Sequence, residues 1–172
     1  MSLIPFRGNT PRVDETVFVA ATATLIGDVV LGGHSSVFYG ATVRADTTPI
    51  RVGEGTNLQD NVVVHADPGY PAVIGDRVSV GHGAVVHGCT IEDDCLIGMS
   101  ATVMNGAVIG TGSLVAAGAV VLEGTVVPPR SLVAGVPAKV RRELTDDEVE
   151  GVKANAEQYR SLAQEHRAAS TT

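Results

Sequence analysis

Three histidines, His65, His82 and His87, lie within 23 residues of one another in a chain that has five histidines. Imidazole is the commonest metal ligand in proteins, and the neutral ring offers one nitrogen lone pair to a cation. A catalytic zinc site uses three protein ligands and leaves a fourth position for water, so these three side chains are candidates for one such site. Whether they can meet depends on how the fold places each ring.

The other two histidines, His34 and His166, stand far from this group, close to the two ends of the chain. Lone histidines are usually not ligands. We therefore predict that both are exposed to solvent.

Aliphatic residues recur every six positions along most of the chain, from Val19, Leu25 and Leu31 to Val133. An amphipathic helix needs a period of 3.6 and a simple strand needs 2, so neither explains the pattern. A period of six fits a coil that turns a corner once per hexad. Three hexads close a triangular coil, and successive coils pair as parallel strands about 4.8 Å apart. The sequence therefore predicts a parallel β-helix.

Breaks in the period and the end of the repeat suggest how the chain is organised. Residues 47–51 and 68–73 add residues between hexads and are predicted to project as loops. Residues 1–142 are predicted to form the β-helix, with a lead-in segment and a Pro-rich closing segment. Residues 143–172 are predicted to form a C-terminal helix and tail, because residues 145–148 (TDDE) have the pattern of a capping box.

Counting hexads places His65 and His87 three hexads apart, which is one full coil. Both are therefore predicted to stack on one face of the prism, one strand spacing apart, with Arg44 one coil below His65. His82 belongs to the preceding hexad and faces an adjacent side of the prism, with Gln59 and Asp60 beneath it.

Two stacked imidazoles do not complete a metal site, and the third ring faces another way. Packing three prisms about a threefold axis would bring His65 and His87 of one subunit to His82 of the next. We therefore predict a homotrimer with metal sites at its subunit interfaces. The alternative at this point is that the three histidines are separate surface residues.

The composition narrows the possible partners. The net charge is −7, from 12 basic and 19 acidic residues, which argues against a nucleic-acid surface. The N-terminus lacks the apolar core of a signal peptide, and no apolar run is long enough to cross a membrane. We predict a cytoplasmic protein that binds neither nucleic acid nor a membrane.

Several motifs resemble those of the γ-class carbonic anhydrase family over nearly the whole chain. They are VRAD (43–46), NLQDNVVVHAD (57–67), VGHGAVVHGCTI (80–91), LIGMSATVMNGAVIG (96–110) and VAGVPAKVRREL (133–144). The resemblance implies a left-handed β-helix, and it implies that His65, His82 and His87 bind zinc at a subunit interface. Bare hexapeptide repeats occur in many acyltransferases, whereas three histidines in these contexts do not.

The resemblance also implies roles for four further residues. Arg44 and Asp46 would form an intersubunit ion pair near the metal, while Gln59 and Asp60 would orient the metal-bound water and make the site rigid. A cation held by three imidazoles lowers the pKa of bound water from 15.7 to about 7, which generates a hydroxide that can attack carbon dioxide to give bicarbonate. Iron or cobalt would suit the same three ligands.

The chain departs from the best-characterised branch of that family at two acidic positions. Thr47 follows Asp46 where that branch has Glu, and the segment 67–71 (DPGYP) replaces an acidic loop that shuttles protons. Asp67 is the nearby candidate for a shuttle. The chain thus resembles a shorter-loop branch, which implies weak hydration of carbon dioxide. Two alternatives follow: an acyl-CoA thioesterase or acyltransferase-like protein, and a non-catalytic metal-binding trimer.

Overall fold

A computed structural model describes residues 2–170 and shows a series of short strands followed by one helix. In chain order the elements are β1 (Ser2–Ile4), β2 (Arg12–Val13), β3 (Phe18–Val19), β4 (Thr24–Leu31), β5 (Ser36–Val37), β6 (Thr42–Val52), β7 (Asn57–Leu58), β8 (Val63–His65), β9 (Ala72–Ile74), β10 (Ser79–Val80), β11 (Val85–His87), β12 (Thr90–Ile91), β13 (Leu96–Ile97), β14 (Thr102–Val103), β15 (Val108–Ile109), β16 (Leu114–Val115), β17 (Val120–Val121), β18 (Val126–Val127), β19 (Ser131–Gly135), β20 (Ala138–Glu143) and α1 (Asp146–Ala169).

The strands form a left-handed parallel β-helix of hexapeptide repeats; the period of six predicted the parallel β-helix, and the family resemblance implied its hand. From β7 to β19, each strand pairs in parallel with the strand three positions along the chain, so that β8 pairs with β11, β11 with β14 and β14 with β17. Three strands therefore make one coil, and the solenoid has three faces. The stack ends where β20 pairs with β19 in the antiparallel direction.

The interior of the solenoid is filled by the aliphatic residues of the repeat. Val43, Val64, Val86 and Val103 lie one above another on consecutive coils, and all four are fully buried. Burying one such side chain stabilises a protein by about 1.5–3 kcal/mol. The solenoid is therefore a stiff scaffold, and its outward side chains have fixed positions relative to one another.

The prediction of a loop at residues 47–51 is wrong, because β6 runs without a break through that segment. Ile50 to Val52 pair with β4 on one side and with β9 on the other. The three extra residues of this hexad are thus absorbed by a strand that continues around a corner of the prism. The second insertion does form a turn, at Pro68 and Gly69, although its last two residues, Ala72 and Val73, belong to β9.

Helix α1 packs along one face of its own solenoid, against β3, β5, β7 and β10. The predicted capping box is present: Thr145 accepts a hydrogen bond from the backbone of Glu148, whose side chain accepts one from the Thr145 backbone. The buried residues of the helix are Val149, Val152, Ala156 and Ala163. Among residues 2–170, no helix is long and apolar enough to cross a membrane.

The prediction that His166 is exposed is also wrong, whereas His34 is exposed as predicted. The His166 ring is partly buried against Phe18, Phe38 and Tyr39, and its Nδ1 lies 3.0 Å from the Tyr39 hydroxyl. The reason is the length of α1, which continues to Ala169 and carries its last turns onto the first coils of the solenoid.

Candidate metal centre

His65 and His87 occupy the ends of two neighbouring strands on one face of the solenoid. The register pairs β8 with β11 so that His65 lies directly opposite His87, and it pairs Arg44 of β6 with His65 on the other side. The ring centroids of the two histidines are 5.0 Å apart. Counting hexads in the sequence predicted this stack, because the parallel ladder keeps equivalent positions in line.

Each of these two rings is oriented by an oxygen atom. His65 Nε2 lies 3.0 Å from Asp46 Oδ1, and His87 Nδ1 lies 2.8 Å from Asn105 Oδ1. The amide of Asn105 is itself fixed, since its Nδ2 donates to Asp67 Oδ2 at 2.9 Å and a carboxylate can only accept. Both contacted ring nitrogens therefore carry the proton, and the other nitrogen of each ring keeps its lone pair.

These two remaining nitrogens face each other, with 3.0 Å between His65 Nδ1 and His87 Nε2. Two lone pairs at this distance repel unless a proton or a metal ion lies between them. Two imidazole nitrogens on one tetrahedral zinc ion, each about 2.0–2.1 Å from it, would be about 3.3 Å apart. The observed spacing therefore fits a shared cation with a shift of a few tenths of an ångström.

Arg44 donates a short hydrogen bond to Asp46 of the same subunit at this face, and the ion pair between subunits that the family resemblance implies stays a prediction. Burial alone would raise the pKa of Asp46, but the hydrogen bonds from Arg44 and His65 outweigh it and hold that pKa below its ordinary value. Asp46 is thus a carboxylate at neutral pH, as an acceptor for the His65 N–H must be.

His82 lies at the corner next to this face, and both of its ring nitrogens have partners. Its Nδ1 is 3.0 Å from Asp60 Oδ2, and its Nε2 is 3.3 Å from the hydroxyl of Tyr159 on α1. The other oxygen of Asp60 accepts a hydrogen bond from the Tyr39 backbone at 3.1 Å. Asp60 therefore fixes the His82 tautomer that leaves Nε2 as the nitrogen able to bind a cation.

Gln59 lies on the face covered by α1 and is buried. Its Nε2 donates to Asn57 Oδ1 at 3.1 Å, and Asn57 donates in turn to Ser79 at 2.9 Å. Gln59 and His82 stand at one end of a groove of about 350 Å³ between the solenoid and α1, which also contains Tyr159. The groove continues over apolar residues that include Leu96, Met99 and Leu114.

The residues predicted for the site thus form two groups in one subunit. The first group is Arg44, Asp46, His65 and His87; the second is Gln59, Asp60 and His82. Within residues 2–170, the group of three metal-donor residues whose donor atoms all lie within 4.8 Å of one another is His65, Asp67 and His87, and His82 is outside that group. The subunit therefore presents two separate donor groups on neighbouring sides of the prism.

The sequence analysis missed three residues that shape these groups, namely Asn105, Tyr159 and Gly88. Asn105 could have been found by extending the hexad count one coil above Gly88. Gly88 has a φ of +56°, and a Cβ added there would lie 2.2 Å from Asn105 Oδ1, so glycine is what allows Asn105 to reach His87. The hexad pattern could not predict the contact of Tyr159 with His82, because Tyr159 lies on α1, outside the repeat.

Proteins similar to this chain have names of more than one kind. Residues 88–123 match the family described as bacterial transferase hexapeptide (six repeats). The chain is 48% identical, over 88% of its length and 96% of the relative's, to a protein of Methanocaldococcus jannaschii named "Probable carbonic anhydrase". It is 45% identical over 91% of its length to the mitochondrial gamma carbonic anhydrase 2 of Arabidopsis thaliana, of which it spans 59%.

A solved structure matches the whole fold. It is a hexapeptide transferase family protein from Anaplasma phagocytophilum, 42% identical to this chain, with a TM-score of 0.92. The alignment covers 95% of this chain and 96% of that one.

Proposed function

The chain belongs to the γ-class carbonic anhydrase family, and on that premise we propose that it catalyses the reversible hydration of carbon dioxide to bicarbonate. We propose further that it works as a homotrimer, with one zinc ion at each subunit interface. His65 and His87 of one subunit and His82 of the next would hold each ion.

One observation carries this proposal. Each of the three rings has one nitrogen oriented by a side-chain oxygen, from Asp46, Asn105 or Asp60. Oxygen acceptors of this kind accompany metal-bound histidines because they fix the tautomer and the direction of the free nitrogen. The three rings nevertheless belong to two groups on different sides of the prism, which a neighbouring subunit would unite.

The outer surface around His65 and His87 supports an interface. Val63 on β8 is 41% exposed, and Leu122 directly after β17 is 52% exposed. Apolar side chains on the surface of a protein mark contact sites when they cluster around functional groups. This face is suited to contact the corner of a second copy that carries His82.

A bound zinc ion would supply a water molecule whose pKa is lowered to about 7. The residues of the chain would perform the remaining tasks. Asp46, Asn105 and Asp60 keep the three nitrogens aimed at one point, and Arg44 keeps Asp46 ionised. Gln59, beside His82 in the groove, would hold the attacking oxygen and the substrate in line through its amide.

Mixed trimers test the shared site directly. His82→Ala and His65→Ala subunits should each be inactive in a stopped-flow assay of carbon dioxide hydration, because each lacks one ligand of every site. Trimers assembled from both kinds of subunit contain interfaces with all three histidines, so activity at those interfaces should return.

His34→Ala is the matched control, since His34 is exposed and distant from both groups, and it should keep full activity. Failure of the mixed trimers to recover activity would contradict the shared site. A zinc-loaded wild-type trimer that hydrates carbon dioxide no faster than buffer would contradict the reaction.

A second candidate function is hydrolysis or transfer of an acyl-CoA thioester. The groove of about 350 Å³ beside His82 favours it, because the groove is lined partly by Leu96, Met99 and Leu114 and falls in the size range of pockets for organic ligands. A panel of acyl-CoA esters, assayed for thiol release with and without an acceptor amine, tests this candidate. Absence of turnover on every ester rejects it.

The third candidate is a trimer in which the metal serves only assembly. In that case chelation would dissociate the trimer, and neither carbon dioxide nor a thioester would be turned over. Elemental analysis of protein purified without oxygen would show whether zinc, iron or cobalt is the native ion. The predicted cytoplasmic location stays a prediction, which subcellular fractionation would test.

A further inference from the structure

We propose that Asp67 is a metal ligand, and that with His65 and His87 it lets a single subunit hold a cation before a neighbouring subunit contributes His82. This inference rests on the proposed function in one respect, namely that the metal binds between His65 and His87. It adds a carboxylate ligand and an order of assembly, in which metal loading precedes association of the subunits.

The first support is distance. One donor atom each from His65, Asp67 and His87 lie within 4.8 Å of one another in the same chain. Atoms bound to one tetrahedral cation at about 2.0–2.2 Å lie about 3.3–3.6 Å apart. A movement of about 1.5 Å or less therefore brings the carboxylate within range of a cation held between the two rings.

The second support is that Asp67 and His87 are positioned by the same side chain. Asn105 accepts the His87 Nδ1–H through its Oδ1 at 2.8 Å and donates from its Nδ2 to Asp67 Oδ2 at 2.9 Å. One amide thus sets the direction of an imidazole and of a carboxylate at once. Partners that orient ligands in this way are characteristic of metal sites.

The third support is the backbone of Asp67, which is held although it lies at the start of a turn. Its carbonyl oxygen accepts from the Thr48 hydroxyl at 3.1 Å and from the backbone N–H of Tyr70 at 3.0 Å. Pro68 follows, and the residue before a proline is restricted to extended conformations. The backbone of Asp67 therefore holds its carboxylate beside the rings of His65 and His87.

The ligand chemistry of this set differs from that of three histidines. Two imidazoles and one carboxylate with open positions are the facial arrangement that holds Fe(II) and similar divalent ions. The carboxylate also lowers the charge of the bound ion by one unit. A lone subunit would thus bind divalent ions less selectively than the complete interface does.

The experiment is a cobalt(II) titration of four full-length proteins, followed by the visible absorption of the bound ion. The proteins are the wild type, His82→Ala, His82→Ala/Asp67→Asn and His82→Ala/Asp147→Asn. We expect His82→Ala to bind one cobalt per chain, because His65, His87 and Asp67 remain. Adding Asp67→Asn should raise its Kd at least about tenfold, the lower bound for losing even an indirect partner of a metal.

Asp147→Asn is the matched control, because it removes the same charge from an exposed position in the first turn of α1. It should leave the cobalt Kd of His82→Ala unchanged. Melting curves of all four proteins establish that each is folded, and Asp67→Glu in the His82→Ala background should restore much of the affinity.

The outcomes separate this inference from the proposed function. If His82→Ala binds no cobalt while the wild type does, binding by a single subunit is overturned and the shared site stands. If His82→Ala and His82→Ala/Asp67→Asn bind cobalt with the same Kd, Asp67 is not a ligand. If the wild type binds no cobalt, the proposed metal site itself is wrong. If His82→Ala matches the wild type and depends on Asp67, the carboxylate site is supported and the shared site is overturned.

Discussion

The solenoid and helix α1 are stabilised in different ways. In the solenoid, nearly every hexad contributes a fully buried aliphatic side chain, among them Leu58, Val80 and Ile97 in consecutive coils. Helix α1 buries four residues and adds the partly buried contacts of Tyr159, Leu162 and His166. Arg142 with Glu148 and Arg130 with Asp146 form exposed ion pairs at its start.

This difference matters for the candidate site, because the two regions contribute different parts of it. His65, His87 and their oxygen partners all lie on the solenoid, where the ladder fixes their spacing. Tyr159, which contacts His82, lies on the more weakly held helix. Burial raises the pKa of Tyr159, and the nearby Asp60 carboxylate raises it further, so the phenol stays protonated and can donate to His82. The site thus combines a rigid donor pair with a helix that can adjust.

The largest effect is expected from a cavity inside the solenoid. Ile97→Ala should lower the free energy of unfolding by about 2–5 kcal/mol, because the stacked coils cannot collapse around the space left by a fully buried side chain. Denaturant titration at a fixed protomer concentration measures the change. Val126→Ala, at an exposed position of β18, is the control and should change the value by about 0.5 kcal/mol or less. Equal losses in both variants would mean that the interior is not the main source of stability.

A smaller effect is expected at the donor pair. Asn105→Ala should weaken zinc binding roughly 10–100-fold, because both His87 and Asp67 lose the amide that orients them. Competition with a chromophoric chelator measures the zinc Kd. Gln164→Ala removes an exposed amide on α1 and should leave the Kd unchanged. An unaltered Kd for Asn105→Ala would show that the solenoid alone orients the rings.

Loss of the N-cap of α1 should have a smaller effect than the two substitutions above. Thr145→Ala removes the hydroxyl that accepts from the Glu148 backbone and should cost about 1 kcal/mol. Hydrogen exchange should show the loss in the first turns of α1 while the solenoid amides keep their protection. Ser161→Ala, an exposed substitution inside the same helix, should produce no such loss. Faster exchange throughout the solenoid would mean that helix and solenoid unfold as one unit.

The smallest effect concerns the ion pair at the start of the helix and depends on pH. The hydrogen bond from Arg142, followed by that from the Thr145 backbone, lowers the pKa of Glu148 from 4.5 to about 2. A folded-state pKa below the unfolded value means that the contribution to stability is present above pH 4.5. It is lost as the pH falls toward 2.

Glu148→Gln should therefore be less stable than the wild type at pH 7, and the gap should narrow between pH 4.5 and 2. Unfolding midpoints across that range measure the gap, and Glu150→Gln, which keeps the cap, is the control. A gap of constant size down to pH 2 would show that charge plays no part in holding the start of α1.

The sequence determined the solenoid and the stacking of its outward residues. The period of six predicted three-sided coils. Because parallel strands align equivalent hexad positions on consecutive coils, counting residues was enough to predict that Arg44, His65 and His87 stack in that order. The capping box likewise predicted the start of α1, since its hydrogen bonds connect residues only three apart. Each of these features depends on local spacing.

Only the tertiary structure decided the partners of the three rings. Residues 47–51 have no hexad pattern, yet they lie in β6 because two neighbouring strands pair with that segment. Asn105 reaches His87 because Gly88 leaves space for it, and Tyr159 reaches His82 because α1 lies along one particular face. Side-chain rotamers and the position of a helix are set by packing between distant segments, which is why counting residues along the chain did not reveal them.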